Sequence, residues 1–147
     1  DKTSKVFDAA TGDALGTFNG HGEIVYGSTF SADGKQAVTC GADKLIRMWN
    51  VEDSKEVRKF DGAKGDVLQL VLLPDARIVS GGSDKFARVH QSSDGKLLLT
   101  VAEHPDWIYA VDAHAASGLI ATGCADSKVR LWKLDGGELV REWAAQP

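Results

Sequence analysis

Asp43-Lys-Leu-Ile-Arg-Met-Trp49, Asp84-Lys-Phe-Ala-Arg-Val-His90 and Asp126-Ser-Lys-Val-Arg-Leu-Trp132 are three versions of one seven-residue stretch, and Asp1-Lys-Thr-Ser-Lys-Val-Phe7 is a fourth. Their leading aspartates are spaced 42, 41 and 42 residues apart, and the closing residues at 7, 49, 90 and 132 keep the same intervals. A period held in register along a whole chain marks a repeat architecture, in which each repeat is one supersecondary unit that buries its apolar surface against its neighbours.

The register extends upstream. A hydroxyl stands four residues before each aspartate, as Thr39, Ser80 and Thr122. His21 and His104 each precede their aspartate by 22 positions, and Ala63 holds the corresponding place in the middle unit. That unit is one residue shorter, between Leu72 and Arg77, where its neighbour carries the longer turn Ser31-Ala-Asp-Gly-Lys35.

Within a unit, short runs containing β-branched and aromatic residues alternate with turn chemistry, and no 3.6-residue periodicity is sustained. The pattern predicts four strands per unit, near 24–30, 36–41, 45–50 and 55–60 in the first complete one. Asp33-Gly34, Asp94-Gly95 and Asp135-Gly136 supply residues that tolerate the positive φ of tight hairpins. Ile46 and Met48 fall on one side of a strand and Trp49 on the other, so each sheet is expected to be covered on both faces. Sheets of this kind stacked around an axis make a β-propeller.

At this point the residues resemble the WD40-repeat family, over essentially the whole chain. Gly20-His21 is similar to the family's Gly-His pair, and Trp49-Asn50 and Trp132-Lys133 to its Trp-Asp pair with the Asp replaced. The resemblance implies a hydrogen-bonded network within each sheet, or blade: His21, Thr39, Asp43 and Trp49 in one, and His104, Thr122, Asp126 and Trp132 in another. The middle blade keeps Ser80 and Asp84 but has Ala63 for the His and His90 for the Trp, and is expected to be the least rigid.

The fold expected is all-β, a partial WD40-type ring of three complete four-stranded blades plus the C-terminal half of one. Residues 1–19 supply the last two strands of a blade, 20–61 a blade, 62–102 the degenerate blade and 103–147 a third, whose final strand runs from about Leu139 to Trp143. Three and a half blades fall short of the four to eight of a typical propeller. The chain therefore reads as a segment of a larger ring, with further blades coming from a longer chain or from self-association.

Composition narrows the function. Of 147 residues, 43% are hydrophobic and 26% charged, with a net charge of −4 spread along the length. There is no run of about 18 apolar residues for a membrane span, and no Lys/Arg run to engage a series of phosphates. Neither a membrane nor a nucleic acid is expected as a partner. The compartment is unreadable beyond a default expectation of a soluble, cytoplasmic protein. Cys40 and Cys124 read as small buried residues rather than a disulfide framework or zinc site.

The four histidines invite a metal or general-base reading, but His21 and His104 have network positions, His90 fills a core aromatic position and His114 lies in the turn His114-Ala-Ala-Ser-Gly118. The recurrence of Asp43, Asp84 and Asp126 in tight turns favours structure over catalysis. Ser80-Gly-Gly-Ser83 precedes no helix, and no Gly-x-Ser-x-Gly elbow is present. No cofactor, metal or catalytic residue is expected.

What the resemblance implies instead is binding of a protein or peptide at the narrow end of the ring. By register the exposed positions are Ile24 and Tyr26, Asp66 and Leu68, and Trp107 and Tyr109, beside Ala42, Ser83 and Ala125. The aromatic members carry most weight, because such side chains dominate interface hot spots; ordinary blade packing is the competing reading. Arg47, Arg88 and Arg130, four residues after each Asp, read as snorkelling over neighbouring blade surface. A non-catalytic scaffold is the function expected. The alternative is a structural or sensory module of a larger protein whose activity lies in a fused domain.

Overall fold

The computed structural model describes residues 1–144, so the last three residues of the 103–147 unit lie outside the described residues. Thr3–Phe7 (β1) and Ala14–Asn19 (β2) form a two-stranded antiparallel sheet. Three four-stranded antiparallel sheets follow, each with its strands in chain order. The first comprises Val25–Phe30 (β3), Gln36–Gly41 (β4), Ile46–Asn50 (β5) and Glu56–Phe60 (β6). The second comprises Val67–Leu72 (β7), Arg77–Gly82 (β8), Arg88–Gln91 (β9) and Leu97–Thr100 (β10). Ile108–His114 (β11), Leu119–Cys124 (β12), Lys128–Lys133 (β13) and Leu139–Ala144 (β14) make the third. The strands of the first complete sheet begin within one residue of the expected positions. Among the described residues the one helical element is a 3-10 turn, Ala115–Ser117, which follows His114.

The two-residue alternation of a strand decides which sheet each side chain meets. Trp49 and Ala37 face back onto Val6 and Phe18 of the two-stranded sheet. Val38, Cys40, Ile46, Met48 and Phe60 face forward onto Val67, Leu70 and Ile78 of the next sheet. The same division recurs one repeat on, where Val79, Ala87, Val89 and Val101 meet Ile108, Val111, Ile120 and Trp132. There are thus three cores, each between two sheets and none within one. On the last sheet the equivalent forward face, Ala121, Val129, Leu131 and Trp143, is partly or fully exposed, and no described residue covers it.

Two features of the repeat shape the surface. Each turn aspartate is followed by a residue in the left-handed region, Lys44, Lys85 and Ser127, with φ of 67°, 70° and 63°. This is a type I turn closed by a left-handed residue, a standard short hairpin connection. In addition, the first and fourth strands of the sheets carry register shifts. In the first strands the extra residue is Tyr26, Leu68 or Tyr109. In the outer strands it is Val57, Leu98 or Val140, with Leu15 at the same place in β2.

Candidate functional site: network and loop face

The network is complete in the first four-stranded sheet. Asp43 is a carboxylate and can only accept, so the His21 Nδ1–H donates to it, at 2.9 Å from either oxygen. Nε2 is then the lone pair that accepts the Thr39 hydroxyl proton at 2.7 Å. The Thr39 oxygen in turn accepts the Trp49 indole N–H at 2.8 Å. Every polar atom of this buried chain has a partner, the condition under which such a network stabilises a fold. Burial would raise the Asp43 pKa, but the His21 hydrogen bond and the Gly22 and Leu45 backbone N–H groups outweigh it and hold the carboxyl below its usual range.

In the last sheet the chain of bonds stops one link short. Thr122 bridges His104 Nε2 and Trp132 Nε1 at 2.9 Å each, but His104 Nδ1 donates to the carbonyl of Ala102 at 3.1 Å instead of to Asp126. This corrects the expectation that His104 and Asp126 are joined. The physical reason lies at the residue after each histidine place. The Gly22 N–H holds Asp43 at 3.1 Å and the Lys64 N–H holds Asp84 at 2.8 Å, but the equivalent residue is Pro105, which has no N–H. Asp126 turns to Arg130 at 2.5 Å, which lowers its pKa to about 2.

The arginines also depart from expectation. Arg47, Arg88 and Arg130 are buried, and each pairs with the turn aspartate four residues before it, at 3.5, 2.7 and 2.5 Å. All three aspartates accept the N–H two residues on, and the arginine pair tightens as partners from the entering loop fall away: His21 and the Gly22 N–H in the first sheet, the Lys64 N–H in the second, none in the third. Arg47 also pairs with Glu56, and Arg130 with Glu142.

In the middle sheet Ala63 leaves Ser80 without a histidine, and the Nε2–H of His90 donates to the Asp61 carbonyl at 3.1 Å. Its Nδ1 is buried with no partner. Burial pushes the His90 pKa down, with the Asp61 carbonyl acting the other way. Both cysteines are buried and free, and burial pushes the Cys40 thiol up to about 12. No three His, Cys, Asp or Glu side chains cluster to hold a metal among the described residues.

The loop face is built by the same repeat. The N–H of the residue before each turn aspartate, Ala42, Ser83 or Ala125, donates to the carbonyl of Ile24, Asp66 or Trp107 at 2.8 to 2.9 Å. Each entering loop is thereby tied to a turn. The approach is close enough that a Cβ on Gly82 would meet the Asp66 carbonyl oxygen at 1.9 Å, which explains glycine there. Directly after the tie comes the bulge, and a bulge re-aims its extra side chain. Tyr26 and Tyr109 consequently stand out at 45% and 56% exposure, near Ile24 at 49% and Trp107 at 45%. Trp107 and Tyr109 meet edge to face, with ring centroids 6.1 Å apart. Leu68 and Asp66 are only half-buried, not exposed as expected. Asp66 instead accepts a hydrogen bond from the Tyr26 hydroxyl at 3.3 Å, sheet to sheet.

Comparison with known proteins points the same way. The family profile described as WD domain, G-beta repeat matches residues 12–50 and 92–133. A guanine nucleotide-binding protein subunit beta-like protein of Encephalitozoon cuniculi is 32% identical over 146 residues, covering 94% of this chain and 43% of that protein. Pre-mRNA-processing factor 19 of Caenorhabditis elegans is 26% identical, covering 91% of this chain and 28% of that protein. The chain thus spans less than half the length of these relatives. Among solved structures, the crystal structure of the computationally designed Ika8 protein superposes with a TM-score of 0.86 at 27% identity, over 97% of this chain and 43% of that one.

Proposed function

The chain belongs to the WD40-repeat family, and from that premise we propose that it is a non-catalytic scaffold whose loop face, the narrow end of the propeller, binds a protein or peptide. A role in protein interaction is general among WD40-repeat relatives. What supports the narrower reading is the bulge that recurs in the first strand of each four-stranded sheet. It turns Tyr26 and Tyr109 outward at the point where the entering loop is tied to the turn. An exposed edge-to-face pair such as Trp107 and Tyr109 on an anchored loop presents rigid aromatic area with a polar handle, the composition of interface hot spots.

The test is the double variant Trp107→Ala with Tyr109→Ala, in selections against a random-peptide display library. Capture should be lost while the unfolding free energy stays within about 0.5 kcal/mol, as for surface substitutions. A large fall in the unfolding midpoint with capture intact would make both residues part of the packing and end the proposal.

A further inference from the structure

We infer that the loop face takes a cationic side chain, a lysine or arginine of an extended peptide, against Asp66. The inference rests on the loop-face reading above and adds the chemistry of its ligand. Each turn aspartate has an arginine, but Asp66 makes no salt bridge with any described residue. One of its oxygens accepts the Tyr26 hydroxyl, and the other accepts no hydrogen bond from a described residue. Its backbone is fixed: its N–H donates to Ser83 Oγ at 2.8 Å and its carbonyl accepts the Ser83 N–H at 2.9 Å. A half-buried carboxylate is held still here with half its accepting capacity unused.

Its surroundings suit a cation with an aliphatic stem. The repeat that sets the bulge residue Tyr26 beside Asp66 sets the next bulge residue, Leu68, at the same register relative to Trp107. Asp66 therefore falls mid-band, with Ile24 and Tyr26 on one side and Leu68, Trp107 and Tyr109 on the other. A lysine or arginine there gains a charge-assisted hydrogen bond, contact for its methylenes and attraction to the aromatic faces. Of the neighbouring acids, Asp84 is paired with Arg88, and the exposed Asp106 has one oxygen accepting the Trp107 N–H, with the Lys85 ammonium on the carbonyl of Pro105 beside it. Of the lysines on this face, Lys44 and Lys64 are exposed and Lys85 donates to the Pro105 carbonyl, and none of the three pairs with Asp66.

The experiment selects a random dodecapeptide display library on the protein and on the variants Asp66→Asn, Asp66→Glu and Trp107→Ala with Tyr109→Ala. Peptides selected by the wild-type chain should share one arginine or lysine flanked by apolar residues. In the leading peptide, synthesised and measured in solution, arginine or lysine to glutamine should weaken binding about tenfold or more, the scale of a close charge pair. In Asp66→Asn the same change should cost no more than about twofold, and Asp66→Glu should restore the preference. Peptides that need Trp107 and Tyr109 but carry no basic residue, or an acidic one, would overturn the cation inference and leave the loop-face reading standing. If no selected peptide depends on Trp107 and Tyr109, both fall together.

Discussion

The indole of Trp49 lies flat against the phenyl ring of Phe18, with centroids 5.4 Å apart and planes 8° from parallel. The pairing is one case of a rule for the three four-stranded sheets: the closing residue of the repeated stretch rests on a residue at or just past the end of the last strand of the sheet before. His90 meets Phe60 edge-on at 5.9 Å, and Trp132 shares a core with Val101. In the first instance the contact carries unusual weight, because β1 and β2 have only two strands with which to hold on.

Phe18→Ala should therefore cost about 3–5 kcal/mol, the usual range for truncating a buried aromatic ring. The loss should be local as well as global. Hydrogen exchange should speed up first in Thr3–Phe7 and Ala14–Asn19, well before the three complete sheets open. Uniform acceleration would show that the two-stranded sheet is not held separately.

The hydroxyl at the centre of a network should matter only where the network exists. Thr39→Val leaves the His21 Nε2 and the Trp49 N–H without partners, and should destabilise by about 1–3 kcal/mol. Ser80→Ala removes a hydroxyl that no histidine or tryptophan uses, and should cost less than about 1 kcal/mol. Equal losses in denaturant unfolding would contradict the assignment.

Restoring a backbone donor should redirect His104. In Pro105→Ala the new N–H can hold Asp126 as the Gly22 N–H holds Asp43, bringing the carboxylate toward the imidazole. His104 has its pKa lowered by burial and by Arg130. NMR titration should find it raised in the variant; an unchanged value would mean that proline is not the cause.

Buried neutral histidines predict an acid sensitivity of definite sign. His90 has a folded pKa below 6.5, chiefly through burial. Below 6.5 the unfolded chain takes up a proton that the folded one resists, so stability declines from there until the pH passes the folded pKa. Above 6.5 this residue contributes no slope. His90→Phe should flatten part of the decline between pH 7.5 and pH 5 in urea midpoints, leaving the part due to His104. An unchanged slope would place the titration elsewhere.

The strands and their order were legible because they follow from spacing: the recurring aspartate sets the turn, and alternation around it sets the faces. The arginines were misread for lack of one quantity, burial. A guanidinium four residues after a carboxylate in a turn can lie over a neighbour or fold back on the acid, and sequence alone does not choose. Leu68 and Asp66 were misplaced for the same reason. The broken link at His104 did have a signal, since Pro105 stands where Gly22 and Lys64 offer an N–H. The presentation of Tyr26 and Tyr109 by bulges had none, because a one-residue register shift leaves composition and periodicity almost unaltered.

The outer-strand bulges at Leu15, Val57, Leu98 and Val140 bear on what the edges of the sheets can pair with. An edge strand with one residue out of step offers a poor template, since an incoming strand would lose alignment halfway along. Sideways growth into an extended sheet is thereby discouraged at every edge of the circumference. The faces of the sheets are a different matter: Val38, Ile46, Met48 and Phe60 in one sheet, and Val79, Ala87 and Val89 in the next, are already spent on stacking.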